Sequence, residues 1–305
     1  MSTALDRIAL AAGQPDIVDI LADRLSPTDL QTLLLEVSRR RSARRTPADV
    51  LADYERSRFF GPSPFPHAGF AQWDAVARGA ASRFEQLELS PMAPLATCSA
   101  LGPIQQDWSV PTVRTGEVVS DATNNLALEA ALRRRRRPTM PVHLATTQRV
   151  VRPQAYANPD LLAHFALFAL LSAGRDTGSY RTEAEMIGLH LDALLGAIRA
   201  FLGPALPLSL SWTIRTGSTD DARLAALRAA ADRVGAATWE EPDRQAVDSY
   251  YAGFCFHLWA EPAGQRRALA DGGTVDWLGK LLNNRKERCL ITGCGLEGLL
   301  SLARA

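Results

Sequence analysis

The sequence predicts an α+β protein in which helices flank a mixed, mainly antiparallel sheet. Segments typical of strands are more numerous than a doubly wound parallel fold would place between its helices. Several of these segments follow one another as hairpin-like pairs, and long connecting segments separate others. The chain has 305 residues, of which 47% are hydrophobic and 22% charged, an ordinary globular composition that allows a sizeable core.

Charge and composition exclude several classes of protein. A net charge of +1 gives no strong overall attraction to nucleic acid or membranes. No apolar stretch has the length of a membrane span, and the first residues lack the pattern of a secretory signal. Cysteines 98, 255, 289 and 294 form no CxxC or zinc-finger spacing. We therefore expect a cytoplasmic protein with reduced thiols and no membrane contact.

Two helix starts are legible near the N-terminus. Ser26 and Thr46 are each followed at once by proline and, three residues on, by aspartate, the pattern of a capped helix. The segment "GPSPFPHAG" then interrupts the chain with three prolines and two glycines. We therefore predict a helical extension over residues 1–61 and a core over residues 62–305.

The core alternates strand-like and helix-like segments. The segment "PLSLSWTIRTG" alternates apolar and polar residues, which predicts a half-buried strand. The segment "LELSPMAPLATCS" contains two prolines, which suits an extended edge or interface strand. Further predicted strands are "PVHLATTQRVV", "HFALFALLSAG", "YYAGFCFHLWA" and "RCLIT". Predicted helices are residues 70–84, "LALEAALRRRRR", "EAEMIGLHLDALLGAIRAFL", "DARLAALRAAADRV" and "LEGLLSLARA".

Five segments, in order, resemble motifs of one enzyme family. "VSDATN" falls where that family has RPEGTA, and "QRVVRPQ" resembles its second motif, FRHERPQ. "YYAGFCF" resembles YYTGTVFE, "DGGTVDWL" resembles GGRYDGL, and "GCGLEGLL" resembles the third motif, GxGLERLL. From about Phe70 to the end, the chain thus resembles the catalytic core of class II aminoacyl-tRNA synthetases. The histidyl branch and the regulatory subunit of ATP phosphoribosyltransferase are the nearest in pattern.

The resemblance implies a fold, ligands and an assembly. It implies an antiparallel sheet of six or seven strands that holds ATP, with Mg²⁺, and an amino acid. It implies a homodimer formed through the first motif, here "LELSPMAPL". The chain ends directly after the third motif, so the resemblance implies a catalytic core without the family's anticodon-binding domain.

The nucleotide contacts that the resemblance implies are only partly present. Arg149 matches the catalytic arginine that grips the α-phosphate, and Arg152 follows it in the same motif. Glu297 of the third motif is also kept. Four charged positions of the family are replaced, by Val151, Ala246, Thr274 and Gly298. Each lost arginine removes a charge-assisted contact worth roughly 1.5–3 kcal/mol. We therefore expect ATP bound in the family's usual way to be weakened.

The amino-acid half of the predicted pocket is better kept. Asp121 and Thr123 stand where the family uses Glu and Thr to bind the substrate's α-ammonium. A carboxylate beside a hydroxyl suits a primary ammonium. Tyr250 and Tyr251 are substrate-binding candidates by position, although core packing would equally explain them. His257 occupies a glutamate position of the family and is a candidate for the same pocket, or else a packed histidine.

Lys280 and Lys286 are the only lysines among 34 basic residues. Lysine is a compact charge that can lose its proton, so a lysine in an arginine-rich chain can mark a site that arginine cannot serve. Lys280 follows the segment that resembles GGRYD, so we predict that it binds nucleotide or another anion. The alternative explanation is that both lysines are surface residues without a function and that codon usage favouring arginine made lysine rare. The arginine run of residues 133–137 suits RNA phosphates or a solvated helix end, and nucleic acid is not favoured.

Two functions stay open from the sequence. The first is a stand-alone, synthetase-like ligase that activates an amino acid with ATP and transfers it to a protein or carrier acceptor other than a full tRNA. The second is a non-catalytic regulator that senses an amino acid and binds a partner, as the phosphoribosyltransferase subunit does. The regulator is favoured because the residues for the ammonium are kept while several phosphate contacts are lost. The ligase is favoured by Arg149 and the two lysines.

Overall fold

The computed structural model describes residues 3–102, 104–154, 162–217, 221–242, 244 and 250–303. Within these residues the chain forms eleven α-helices and eleven strands. The strands are β1 (Glu85–Gln86), β2 (Met92–Pro94), β3 (Val110–Pro111), β4 (Gly116–Val118), β5 (Val142–Val151), β6 (His164–Arg175), β7 (Leu208–Ile214), β8 (Ala237–Glu240), β9 (Phe254–Ala260), β10 (Arg267–Val275) and β11 (Glu287–Gly295).

The helices differ widely in length. The α-helices are α1 (Ala4–Ala12), α2 (Ile17–Asp19), α3 (Pro27–Ser42), α4 (Pro47–Arg56), α5 (His67–Ala80), α6 (Thr97–Leu101), α7 (Ala122–Arg136), α8 (Arg181–Leu202), α9 (Ala222–Arg233), α10 (Trp277–Leu281) and α11 (Leu296–Ala303). A π-helical turn (Ile20–Arg24) continues α2. Short 3₁₀ turns occupy Gln106–Trp108 and Pro262–Gly264.

The main sheet has eight strands in the order β1-β5-β6-β11-β10-β9-β7-β8. Its six central strands pair antiparallel, whereas β1 and β8 each add a parallel pair at one edge. The predicted α+β class and mainly antiparallel sheet are therefore confirmed. The sheet has one strand more than the seven that the resemblance allows, because both edges are extended. Strands β2, β4 and β3 form a separate small sheet.

Each face of the main sheet carries its own apolar cluster. On one face, here called the back face, α5, α8, α9 and α11 pack on side chains such as Phe168 and Phe256. On the other, the front face, α7 and α10 pack on side chains such as Leu144 and Leu171. Successive strand residues point to opposite faces, so neighbouring side chains of one strand belong to different clusters. This alternation decides which predicted residues can share a pocket.

The N-terminal helices begin where the sequence predicts. The Ser26 and Thr46 side chains accept hydrogen bonds from the backbone N–H three residues on. None of the residues of α1 to α4 is buried. Arg58 donates to two backbone carbonyls after β5, and His164 Nε2 donates to the Gly61 carbonyl at 2.7 Å. The boundary near residue 61 stays a prediction.

One segment predicted as extended is helical in part. Residues 97–101 form α6. Ala96 adopts a left-handed conformation with φ of 72°. The buried Glu117 carboxylate accepts from the backbone N–H of Ala96 and of Cys98, each at 3.0 Å. A carboxylate that satisfies N–H groups at a helix start stabilises that start, and no local sequence pattern revealed it.

The arginine run is partly structural. Arg134 is buried and forms a two-bond ion pair with Glu287, at 2.8 and 2.9 Å. Arg133 pairs with Glu85 and Glu129. Arginines 135–137 are exposed at the end of α7. The run therefore anchors α7 to β11, and its remaining arginines complement the helix dipole.

Candidate functional site

Asp121 stands at the start of α7 on the front face. One carboxylate oxygen accepts from the backbone N–H of Thr123 at 2.9 Å and from the Thr123 hydroxyl at 2.7 Å. The other oxygen accepts from the hydroxyl of Tyr250 at 2.9 Å. The structure thus brings together three of the residues that were predicted to bind substrate.

Two adjacent tyrosines continue this cluster. The rings of Tyr250 and Tyr251 meet edge to face with centroids 5.1 Å apart. The Tyr251 hydroxyl donates to Asp271 at 2.9 Å. Burial raises the pKa of both tyrosines well above the ordinary value, and the nearby carboxylates, Asp121 and Asp271, act in the same direction. Both hydroxyls therefore stay protonated and donate to carboxylates.

Arg244 is a site residue that the sequence analysis missed. Its side chain is only 4% exposed, and its guanidinium lies 5.3 Å from the ring centroid of Tyr251. Nη2 is 3.3 Å from Asp271, whereas Nε and Nη1 have no hydrogen-bond partner among the described residues. A buried donor without a partner costs about 1–3 kcal/mol, and more when it is charged. These two N–H groups are therefore available to an anion or a carbonyl oxygen.

Sequence spacing concealed this arginine. The family pattern places an arginine four residues before the paired tyrosines, which corresponds to Ala246, a residue outside the described part of the chain. Arg244 lies six residues before Tyr250. The one signal was the segment "EPDRQAVDSYY", in which an arginine precedes the tyrosines at a longer distance than the motif allows.

His257 lies beside this cluster on the front face. It pairs with Asp271 across β9 and β10. Its Nδ1 is 3.0 Å from Glu241, which also accepts from the Ser211 hydroxyl at 2.6 Å. Burial opposes ionisation of Glu241, but hydrogen bonds from Ser211 and His257 outweigh it and lower the pKa of that carboxyl. We use the name polar row for these front-face residues: Asp121, Tyr250, Tyr251, Arg244, Asp271, His257 and Glu241.

Arg152 joins the Asp121 end of the polar row. Its Nη2 is 3.6 Å from Asp121, and its Nε donates to the Ser120 carbonyl at 3.0 Å. The guanidinium also lies 5.1 Å from the ring centroid of Phe165. Of the four residues predicted to bind nucleotide, Arg152 is the one that the structure brings to Asp121.

Arg149 lies on the opposite face of the sheet from Asp121. Its neighbour Val150 is buried in the front cluster, so the alternation of β5 turns Arg149 to the back. There its guanidinium lies 5.4 Å from the ring centroid of Phe70 and 3.1 Å from Glu297. Because adjacent residues of a strand point to opposite faces, the predicted catalytic arginine and the predicted substrate site lie on different faces of the sheet.

Glu297 acts as a structural anchor at the start of α11. One oxygen accepts from the backbone N–H of Ala166 at 2.9 Å. The other accepts from Arg149 and from the Ser63 hydroxyl. Three of its acceptor positions are thus used by the protein itself.

Lys280 lies apart from Arg149 and Glu297. Its ammonium lies 3.0 Å from Asp276, one helical turn earlier, and both side chains are more than half exposed. It follows β10, whose last residue pairs with Cys289 at the start of β11. The Arg149 position corresponds instead to the Gly295 end of that strand. Six strand residues span about 20 Å, so Lys280 and Arg149 lie toward opposite ends of the sheet.

Comparison with known proteins identifies the fold. A histidyl-tRNA synthetase from S. aureus aligns over 77% of this chain and 64% of its own, with a TM-score of 0.58 and 15% identity. An ATP phosphoribosyltransferase regulatory subunit/histidyl-tRNA synthetase from Bacillus halodurans aligns over 81% and 84%, with a TM-score of 0.60 and 14% identity. This chain has the class II aminoacyl-tRNA synthetase fold. A histidine–tRNA ligase subunit from Alicyclobacillus acidocaldarius is also similar, at 14% identity and a TM-score of 0.56.

The likeness extends to fold alone. No protein-family model matches the chain, and no curated protein matches its sequence. The chain corresponds to less than two thirds of the S. aureus enzyme. None of the helices in the described part of the chain combines the length and apolar character that a membrane span needs.

The class II synthetase-like fold does not assemble the predicted ATP contacts here. The four residues proposed for nucleotide lie in three separate places, with Arg149 and Glu297 behind the sheet, Arg152 in front and Lys280 near one end. The Thr274 hydroxyl, at a position where the family has arginine, accepts instead from the Phe254 backbone N–H at 2.9 Å. Among the described residues no group of three or more acidic, histidine or cysteine side chains could hold a metal ion. The four residues predicted to contact ATP thus do not share one site in the described part of the chain.

Proposed function

We propose that the chain binds an α-amino acid, or a similar small molecule with an ammonium and a carboxylate, along the polar row. The observation that carries this proposal is Arg244, a buried guanidinium beside Tyr251 whose Nε and Nη1 have no partner within the described ranges. A ligand carboxylate would accept from both, which would remove the cost of burying them. Asp271 contacts only Nη2, so Nε and Nη1 on the other edge of the Arg244 guanidinium can donate to a ligand.

The Asp121 end supplies what an ammonium requires. An ammonium has three donors and no acceptor. The hydroxyls of Thr123 and Tyr250 both donate hydrogen bonds to Asp121, so their oxygen lone pairs can accept hydrogen bonds from a ligand. An ammonium placed there would meet one carboxylate and two hydroxyl oxygens already turned to accept. This preorganisation lowers the cost of binding.

Sensing without catalysis is the function that the geometry supports best. The residues predicted to hold the triphosphate do not converge, whereas those predicted to hold the amino acid do. The bound amino acid would then change how a homodimer of this chain meets a protein partner, as the regulatory alternative implies. We place the protein in the cytoplasm, in line with its reduced thiols.

ATP-dependent activation is the second candidate, and one observation favours it. Arg152 comes from the motif that resembles the family's phosphate-gripping segment, and it lies 3.6 Å from Asp121. A ligase of this kind would pass the activated amino acid to a protein or carrier acceptor. Arg152 is then the residue to test for nucleotide binding.

Isothermal titration calorimetry with the twenty amino acids tests the first candidate, and pyrophosphate exchange with the same panel and Mg²⁺-ATP tests the second. We expect saturable binding of one or a few amino acids and no exchange above the protein-free rate. Exchange with a bound amino acid would establish the ligase instead. Absence of binding by every amino acid would overturn both candidates.

A further inference from the structure

The N-terminal helices carry an uncovered apolar surface. Of the fifteen large hydrophobic side chains that the described chain exposes, ten lie between Leu5 and Phe60. Leu33 and Val37 lie one turn apart on α3, and each is more than 40% exposed. A helix normally buries its apolar stripe, and a monomer rarely leaves so much of it in water. Such a concentration of exposed apolar side chains is typical of a docking surface.

Two segments of this extension carry opposite charge. Residues 16–24, the acidic segment, contain three aspartates and one arginine, and residues 39–45, the basic segment, contain five arginines. Asp19 and Asp23 are exposed, as are Arg41 and Arg44. None of these four side chains forms an ion pair with another described residue. Asp16 pairs with Arg24, and Arg39, Arg40 and Arg45 pair with Glu36 or Asp53, so within the described chain the unpaired charges of the two segments are these four.

Within one chain the described structure forms no ion pair between the acidic and the basic segment. A second copy of the chain can present the opposite charge to each segment.

We propose that the acidic segment of one copy packs against α3 and the basic segment of a second copy, and the reverse. A two-fold axis then uses the same contact twice, as closed homodimers do. Val18, next to Asp19, would cover the stripe of Leu33 and Val37. Arg41 continues that stripe at a spacing of four residues, so apolar and charged contacts fall on one side of α3. This surface is separate from the dimer contact that the first motif implies, and it does not depend on amino-acid binding.

Charge reversal in the full-length chain tests the proposal by sedimentation equilibrium. Asp19→Arg with Asp23→Arg, and separately Arg41→Asp with Arg44→Asp, should each weaken dimerisation by about tenfold or more, because like charges would face each other. The variant with all four substitutions should regain the parent's dimer constant, since every pair is again opposite in charge. Glu185→Arg with Asp232→Arg is the matched control for the aspartate variant, because it raises the net charge by the same amount at exposed positions of α8 and α9 and should leave dimerisation unchanged.

Three results would overturn the proposal. The first is a parent chain that sediments as a monomer over the micromolar range. The second is an unchanged dimer constant in both double variants, which would place the interface elsewhere. The third is a quadruple variant that does not regain the parent's dimer constant although circular dichroism shows intact helices. Recovery alone cannot arise from altered net charge, because the quadruple variant has the parent's net charge.

Discussion

The guanidinium of Arg244 reaches Asp271 with a single nitrogen, at 3.3 Å, and its other two nitrogens find no partner in the part of the chain that the structure describes. Arg244→Met keeps much of the volume and removes these donors. Amino-acid binding should weaken by about 1.5–3 kcal/mol, because a charge-assisted contact is lost. The unfolding free energy should not fall, because a buried and partly unsatisfied cation is removed. Calorimetry and urea unfolding measure the two effects.

Arg266→Met is the matched control for that prediction. Arg266 is half exposed and lies over the Trp239 ring at 4.3 Å, away from the paired tyrosines. Its replacement should leave amino-acid affinity unchanged. A loss of stability with unchanged affinity in Arg244→Met would show that the arginine is structural.

Asp121→Asn tests the ammonium site. Asparagine is as good a helix N-cap as aspartate, so α7 should keep its start. The loss of negative charge should weaken amino-acid binding by about 1.5–3 kcal/mol, measured by calorimetry. Asp276→Asn, in the exposed pair with Lys280, is the control and should bind like the parent. Equal affinities in the Asp121 variant and the parent would show that the ligand's ammonium does not bind this carboxylate.

Arg149→Met should separate the back face from the pocket. Arg149 is 40% exposed and pairs with Glu297, so its loss should lower the unfolding free energy by about 1 kcal/mol or less. Amino-acid affinity should stay that of the parent, because the side chain lies behind the sheet. A large loss of affinity, together with an unchanged melting temperature, would contradict this placement.

The two lysines should be replaceable by arginine. Lys280 pairs with Asp276 at the surface, and Lys286 is exposed before β11. Lys280→Arg and Lys286→Arg should each change stability and amino-acid binding by no more than about 0.5 kcal/mol. Codon drift then explains why lysine is so rare. Impaired ligand binding in Lys280→Arg, with an unaltered melting temperature, would instead support the anion site predicted from the sequence.

Acid should destabilise the fold through His190. This fully buried histidine lies 2.8 Å from the Thr292 hydroxyl and 2.9 Å from the Ser172 hydroxyl. Burial, with a smaller contribution from His143, lowers its pKa well below the ordinary value. The unfolded chain takes up a proton below about pH 6.5, whereas the folded chain does not. Stability is therefore complete above that pH and should fall by about 1.4 kcal/mol per pH unit below it.

Urea unfolding at several pH values between neutral and mildly acidic measures this slope. His190→Gln keeps hydrogen-bonding groups but cannot titrate, so its slope in this range should be smaller than the parent's. His67→Gln, at an exposed histidine, is the control and should keep the parent's slope. Identical slopes in all three proteins would show that other groups govern acid stability.

Local patterns were sufficient to predict most of the fold. The caps at Ser26 and Thr46, the existence of strand β7 and the order of the motifs all depend on residues close together in sequence. The predicted half-burial of β7 was wrong, because six of its seven residues, on both faces of the strand, are buried. The cluster of Asp121, Thr123 and Tyr250 was also predictable, because the motif resemblance aligned each of them separately. These properties need only the local backbone preference and the order of elements.

The tertiary structure decided which residues share a face and which groups remain without partners. The sequence places Arg149 one step from Val150, but only the packing of α7 shows that Val150 faces the pocket side and Arg149 the other. Arg244 was invisible to motif spacing, because its burial beside Tyr251 depends on strands distant in sequence. Side-chain direction and desolvation are properties of the assembled sheet, so sequence spacing alone could predict neither.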